Sequence, residues 1–433
     1  MIRCRNWLGA LQNINSEYDK NRNHLVEGTC AWILETEEFK TFVDFAQRKH
    51  LWVYGKPGKS LSAKTIASSP LPDHGKVTSS VILGAGKSVL ASFVTSEMRK
   101  YPMTQIRVLH FFCKDGGQDT SSASAAAIAS NLIDQLIEQN PLPSLLEILK
   151  QARKIHAKSD KCTNFEILWN IFIAMAQAFP TPIVAIVDAL DECLIDRPLF
   201  LDRLHFSPGG NIRFFLTSRE EPDICAVLSQ HGDIADRSMN VEADIEKFVI
   251  QRVEQLPRLH EFKTQVIREV TKNSAGMFRY AALLLDELNS PDSMTNIPDM
   301  LESPPKGLNE MYETILLRLE SADKEPKKNV RENRKKILLW IGMAKEPLTV
   351  KALAHVCAVR DGEEKFDLTQ RRLHDERELL DKCGPLIEIV GGYVQYTHLS
   401  VREFLLRSGS ERSGYYLIQE SEARASIAIT SSE

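Results

Sequence analysis

Three acids close an apolar run in "IVAIVDALDE": Asp188, Asp191 and Glu192. A carboxylate at the end of a buried strand can hold magnesium, and a second can orient a nucleophilic water toward a phosphoryl group. "FFLTSRE" puts Arg219 at the end of another apolar run. A guanidinium there can stabilise the charge of a terminal phosphate. "GAGKS" supplies Gly86, Lys87 and Ser88. A glycine-rich turn that opens a helix aims backbone N–H groups at an anion, the lysine reaches the β- and γ-phosphates, and the serine hydroxyl ligates magnesium. Each piece has a plain alternative: a strand ending in solvated acids, a surface arginine, a chance Gly-Lys-Ser. Together, with an amphipathic helix after Ser88 and the acids about a hundred residues later, they point to phosphoryl chemistry on a nucleotide.

The loop itself is interrupted. The phosphate-binding signature is G-x-x-x-x-G-K-[ST], but Val81 stands where its first glycine belongs. Upstream, "LWVYGKPG" ends in Gly55 and Gly58. Without residues 59–84 the text reads "LWVYGKPG-AGKSVLASFV", a complete match that joins Gly55 and Gly58 to Ala85, Gly86, Lys87 and Ser88. Gly58-Lys59-Ser60 can be encoded as GGTAAGTCN, which contains GTAAGT, a usual intron start. Leu83-Gly84 can be encoded as TTAGGN, which supplies a terminal AG. Residues 59–84 therefore read as a retained intron. The alternative is a tolerated surface insertion, whose closure entropy costs only about 1–2 kcal/mol. If the insert is present, either "LWVY" keeps the central strand and residues 59–83 loop out, or "SSVIL" (79–83) takes the strand. The former keeps the better strand and is the expected arrangement.

The elements that must position these residues follow from pattern. "HLWVYG" (50–55), "QIRVLHFFC" (105–113), "PIVAIVD" and "NIRFFLTSR" are apolar runs of strand length. Helix-periodic stretches alternate with them: 86–100, from about Ser122 onward, and 165–179. Continuous apolar strands alternating with helices predict a parallel sheet covered on both faces, with ligands at the carboxyl ends of its strands. Beyond residue 240 the pattern is helical, and "PLIEIV-GG-YVQYTH" is a two-residue hairpin. Helices followed by a hairpin predict a winged helix.

Bulk properties narrow the class. The chain has 433 residues, 43% hydrophobic and 26% charged, with a net charge of −4. That balance argues against bulk attraction to nucleic acid. No apolar run is long enough to span a membrane, and "MIRCRNWLGALQNINSEYDK" lacks the apolar core of a secretory signal. The eight cysteines include no C-x-x-C pair, which suits reduced thiols in the cytoplasm.

"LWVYGKPG…GAGKSVLASFV", "IVDALDEC", "FFLTSREEPDI" and "NSAGMFRYAALLLDEL" resemble NACHT-type STAND NTPases, and in particular the fungal nephrocystin-like group related to heterokaryon-incompatibility proteins. "GTCAWILETEEF" resembles the segment before the phosphate loop, and "YTHLSVREFLL" resembles the winged-helix segment whose histidine touches bound diphosphate. The resemblance spans residues 25 to 407. It implies a switch closed with ADP and opened by exchange to ATP (GTP is the alternative), leading to self-oligomerisation or binding of other proteins. It assigns Lys87 and Ser88 to phosphate and Mg2+, Asp188 to the metal, Asp191 and Glu192 to hydrolysis, Arg219 to sensing, and His398 to the nucleotide. Gly276 falls where relatives carry a G-x-P turn near the base; here Phe278 replaces the proline.

The expected organisation is an N-terminal helical segment (1–47), a P-loop α/β domain (48–235) interrupted at 59–84, a helical domain (236–300), a winged helix (301–407) and a truncated tail (408–433). In relatives that tail leads toward repeats. The expected function is slow ATP or GTP hydrolysis, impaired by the insertion, in a fungal non-self recognition or cell-death switch. A catalytically silent scaffold is the alternative. A P-loop kinase fits less well, because "DALDE" precedes a winged helix and no acceptor motif is present.

Overall fold

The structure, a computed structural model, describes residues 2–11, 14–45, 50–55, 86–102, 104–114, 122–139, 141–156, 161–205, 211–230, 232–290, 297–322, 327–344, 348–358, 380, 382–390, 392–406 and 414–418. Gly58, Gly84, Ala85 and the whole of 59–84 lie outside these residues, as does the alternative strand 79–83. The chain divides into two compact units, residues 1–116, 120–251 and 275–278 in the first and the remainder in the second.

The first unit is built on a five-stranded parallel sheet. Its strands are β1 (His50–Gly55), β2 (Arg107–Phe112), β3 (Ile183–Asp188), β4 (Ile212–Arg219) and β5 (Ile234–Ser238), in the spatial order β2-β3-β4-β1-β5. β1 therefore holds an interior place, with Gly55 in register with Arg219 and Tyr54 with Ser238. "LWVY" keeps its strand, as expected, because Leu51, Trp52 and Val53 are fully buried there. Trp52 Nε1 donates to Ser218 Oγ at 2.8 Å, which satisfies a buried indole N–H across the β1–β4 seam. β3 and β4 are buried at every position, the signature of a sheet covered on both faces.

The helices of this unit are α1 (Ile2–Leu8), α2 (Asn15–Asn23), α3 (Trp32–Glu35), α4 (Glu37–Val43), α5 (Lys87–Met98), α6 (Ala125–Gln139), α7 (Pro143–His156), α8 (Phe165–Ala178), α9 (Arg197–His205), α10 (Pro222–Leu228) and most of α11 (Glu242–Glu254). α6 begins three residues later than its periodicity suggests. Ser124 is the reason: its Oγ accepts the Ala127 amide at 3.1 Å, the geometry of an N-cap. Asn164 caps α8 in the same way through Ile167. α7 and β5 escape the apolar pattern. α7 buries only Leu145 and Leu149 fully, and β5 is a polar edge strand, "IADRS".

The N-terminal helices are part of this unit rather than an appendage. Trp7 and Leu8 are buried in its core, and Arg5 pairs bidentately with Asp134 at 2.5 and 2.6 Å. Arg213 on β4 is 2% exposed and donates to the carbonyls of Phe42 and Asp44 at the end of α4. A cation there satisfies terminal helix carbonyls and complements the dipole.

Two buried histidines set an acid limit on this unit. Burial, with Arg99 alongside, pushes His110 down to about 3; burial pushes His50 down to about 4. Unfolding returns both to about 6.5. The unfolded chain thus binds more protons below that pH, and stability is lost as pH falls through 6.5. At pH 5 each histidine should cost about 2 kcal/mol relative to pH 8. Thermal melting between pH 8 and 5 checks this, and His110→Gln should flatten the slope.

The second unit is helical, with a small antiparallel sheet. Its helices are α12 (Lys263–Ser274), α13 (Phe278–Leu288, from its second residue), α14 (Ile297–Glu302), α15 (Gly307–Ala322), α16 (Lys327–Met343) and α17 (Val350–Ala358), then α18 (Leu399–Leu406). β6 (Leu348–Thr349), β7 (Ile387–Val390) and β8 (Tyr393–Tyr396) pair in the order β6-β8-β7. The hairpin turns at Gly392, whose φ of 83° suits glycine. This is the expected winged helix. Arg334 on α16 is fully buried and donates to the Lys382 carbonyl and, at 3.1 Å, to Tyr416 Oη.

Candidate functional site

Gly86 ends the interrupted loop and opens α5. Its φ is 76°, a left-handed value that favours glycine. A Cβ there would lie 3.2 Å from the Phe278 ring, a tight contact to which the ring would have to give by a few tenths of an ångström. Phe278, the residue standing in place of the expected proline, thus packs over the turn that presents Lys87. Leu90, Ala91 and Val94 bury α5 in the unit, fixing where its N-terminus points.

Ser88 at that N-terminus hydrogen-bonds Asp188 at the end of β3. Asp188 is 1% exposed. Burial pushes its carboxyl up to about 6; hydrogen bonds from Ser88 and Thr217 and the charge of Lys87 oppose that rise. Thr217 Oγ1 donates to Asp188 Oδ1 and accepts the Ala189 amide at 3.1 Å. The threonine therefore fixes the carboxylate's orientation. Ser88 and Asp188 form a hard-oxygen pair beside a lysine, a donor set suited to Mg2+.

Directly after Asp188 the chain turns sharply. Ala189 has φ of 52°, an uncommon value for a residue with a Cβ, and a short 3₁₀ turn over Leu190–Glu192 follows. This turn brings Asp191 onto β4. Its Oδ1 accepts the Arg219 amide and its Oδ2 accepts Arg219 Nε, both at 2.9 Å. The two side chains are 5% and 10% exposed, so the pair is held largely out of water. Glu192 is half-buried on the same turn.

The structure thus gathers Lys87, Ser88, Asp188, Asp191, Glu192 and Arg219 at the carboxyl edge of the sheet, beside Gly55 at the end of β1. The sequence marks Thr217 only as the start of a polar strand end, with no role, and does not mark Arg197. A hydroxyl inside the apolar run "FFLTSR" was the available signal for the first. Arg197 donates to the Asp191 carbonyl at 2.7 Å and pairs with Asp223 at 2.8 Å.

The "GTCAW" segment is also built in. Cys30 has φ of 63°, and its amide donates to Asp244 Oδ2 on α11 at 2.7 Å. Burial pushes the Asp244 carboxyl up, and Lys247 Nζ donates to the Gly28 carbonyl at 2.7 Å. His398 belongs to the second unit. Its Nδ1 accepts the Ser400 amide at 3.1 Å, which caps α18 and places the neutral ring's proton on Nε2. Ser400 Oγ lies 2.7 Å from Tyr312 Oη.

Comparisons with known proteins agree with this architecture. The family model "Nephrocystin 3, N-terminal" matches residues 28–83 and 79–219, in two pieces that meet within the interrupted stretch. The model "GPI inositol-deacylase, winged helix domain" matches residues 324–417. The vegetative incompatibility protein HET-E-1 of Podospora anserina is 23% identical over 95% of this chain, which spans 29% of that protein's length. Among solved structures, the Aeropyrum pernix ORC2 protein in ADPNP–ADP complexes is 12% identical, covering 98% of this chain and 95% of that one at a TM-score of 0.37. The A. pernix ORC1 protein in complex with DNA is 12% identical, covering 92% and 95% at a TM-score of 0.35. TM-scores this low carry no conclusion about this chain. The two family models and the incompatibility protein say what the chain is similar to: residues 28–219 resemble the nephrocystin-type N-terminal region, residues 324–417 resemble a winged helix, and 95% of the chain aligns with a vegetative incompatibility protein, on a P-loop NTPase fold.

Proposed function

We propose that this chain is the nucleotide-binding switch of a NACHT/STAND-type signalling protein, closed with ADP, opened by ATP and reset by slow hydrolysis. The observation that supports it best is the meeting of Ser88 and Asp188, which lie far apart in sequence, at the carboxyl edge of the sheet. Lys87 neutralises the β- and γ-phosphates; Ser88 and Asp188 hold Mg2+, which supplies charge neutralisation at the phosphates. Asp191 holds Arg219 facing the site, Glu192 orients the attacking water, and His398 reports on the diphosphate from the winged helix. GTP is the alternative nucleotide.

Domain roles follow the sequence expectation: P-loop domain to residue 235, helical domain to 300, winged helix to 407. The output is self-assembly or capture of a protein partner in fungal non-self recognition or programmed cell death, with no role for nucleic acid or membrane. All eight cysteines are free thiols, and no helix among the described residues is long and apolar enough to cross a membrane, which suits a cytoplasmic protein. A switch must have two states. Limited proteolysis of the chain lacking 59–84 should give different cleavage patterns with ADP and with a non-hydrolysable ATP analogue. Identical patterns at saturation contradict the switch.

One observation favours a second reading, a silent scaffold. Residues 59–84 stand inside the phosphate loop, and the family match breaks in two there. A loop works because consecutive N–H groups face the β-phosphate from one tight turn. In the chain as written, only the half from Gly86 onward is joined to its helix.

A further inference from the structure

The peptide that joins Asp191 to Glu192 is hydrogen-bonded at both ends. Its N–H, on Glu192, donates to the Ala189 carbonyl at 2.8 Å. Its carbonyl, on Asp191, accepts Arg197 Nη1 at 2.7 Å. A peptide unit is planar and its N–H and C=O point in opposite directions, so the two bonds together fix the plane. The plane in turn sets where the Glu192 backbone, and with it the carboxylate, leaves the turn. The first bond belongs to the 3₁₀ turn itself. Hydrogen bonds of such turns have poorer geometry than those of an α-helix, which is why the turns stay short. The second bond comes from outside, from the first residue of α9.

A residue that positions another must itself be fixed, and Arg197 is. Just upstream, the amides of Leu194 and Ile195 donate to the Ala123 carbonyl at 2.8 and 3.0 Å, and the Ile195 carbonyl accepts the Ala125 amide at 3.0 Å. Asp196 then takes a left-handed conformation, φ 58°, and α9 begins. Such a value in a residue with a Cβ persists where the surroundings impose it. On its other side, Arg197 reaches Asp223 Oδ2 through Nε at 3.0 Å and Nη2 at 2.8 Å. Three nitrogens of one planar guanidinium are thereby engaged, a geometry that an ammonium cannot reproduce. The Asp223 side chain is 46% exposed, so this ion pair adds little stability. What it adds is direction, because it leaves the Nη1 arm aimed at the turn.

We propose that Arg197 is a positioning residue for hydrolysis: it holds the Asp191–Glu192 peptide so that the Glu192 carboxylate meets the attacking water. The proposal rests on the nucleotide reading above. Two guanidiniums then grip Asp191 at opposite ends, Arg219 at the carboxylate and Arg197 at the carbonyl. The Arg197 guanidinium is taken up by the turn and by Asp223, so its effect on the reaction passes through Glu192. A displacement of about 1 Å in a group that orients a reactant can cost about 10²-fold in rate.

The test is single-turnover ATP hydrolysis by the chain lacking residues 59–84. Arg197→Gln should slow it at least ~tenfold, the scale of one charge-assisted hydrogen bond, with ATP affinity and melting temperature unchanged. Arg197→Lys, which keeps a donor for the carbonyl, should fall between the two. Asp223→Asn, which leaves the bond to the carbonyl in place, should slow hydrolysis less than Arg197→Gln. The decisive measurement is a double-mutant cycle with Glu192→Gln. With that acid removed, adding Arg197→Gln should slow the residual reaction less than ~threefold, because the group it positions is gone. A full additional loss in the double variant, an Arg197→Gln chain that hydrolyses at the parental rate, or a rate loss matched by an equal loss of ATP affinity overturns the proposal and leaves the nucleotide reading standing. A parental chain that hydrolyses no ATP refutes that reading, and the role of Arg197 falls with it.

Discussion

Glu192→Gln, in the chain lacking residues 59–84, should slow ATP hydrolysis by about 10²–10⁴-fold and leave ATP affinity nearly unchanged. The amide keeps the size of the carboxylate but cannot polarise a water as a base. Asp191 and Glu192 are adjacent in sequence, and the structure gives them different surroundings. Both oxygens of Asp191 are bonded to Arg219, through the backbone amide and Nε. In the proposed mechanism Asp191 is therefore a positioning group, and Glu192 is the acid assigned to orient the attacking water. Asp191→Ala should act differently. It strands a largely buried guanidinium, so hydrolysis and stability should fall together, with a loss of about 3–5 kcal/mol for breaking a buried pair. Single-turnover phosphate release, read beside thermal melting, separates the two. Equal melting losses in both variants would contradict this division of labour.

Removing residues 59–84 should raise ATP affinity at least ~tenfold. The reason is geometric rather than entropic. Closing the longer loop costs only about 1–2 kcal/mol, which alone is roughly a tenfold effect. The larger loss is the cradle, since charge-assisted hydrogen bonds from backbone N–H groups to an anion contribute about 1.5–3 kcal/mol each. Gly55 sits in place at the end of β1 beside Arg219, and Gly86 sits in place at the head of α5. Joining them through Lys56, Pro57, Gly58 and Ala85 restores one tight turn between fixed ends. Transcript reads across this junction address the genetic side. Uniformly continuous reads through codons 59–84 would exclude a retained intron and leave the insertion as a feature of the protein.

The sheet was legible because four of its strands are continuous apolar runs, a pattern only a doubly covered sheet tolerates. β5 was not, because an edge strand needs fewer apolar residues, and "IADRS" has little to distinguish it from loop. The acids and Arg219 were legible by their place at strand ends. Their pairing was not: which of Asp191 and Glu192 meets Arg219 depends on the left-handed turn at Ala189, and nothing in "DALDE" announces that an alanine will adopt φ of 52°. Thr217 went unassigned for a related reason. A threonine in a strand usually reads as β propensity, and its bond to Asp188 appears only once β3 and β4 are adjacent. Phe278 was noticed as a departure from an expected proline. Its contact with Gly86, across nearly two hundred residues of sequence, required the fold.

The central claim is that Lys87, Ser88 and Asp188 form a working nucleotide site once the loop is whole. Calorimetric titration of ATP and magnesium into the chain lacking 59–84, beside its Lys87→Ala form, tests it most directly. The account predicts saturable, magnesium-dependent binding to the first and a loss of about 10- to 100-fold in the second, the scale of one charge-assisted contact. Equal binding by both, or none by either, would contradict it.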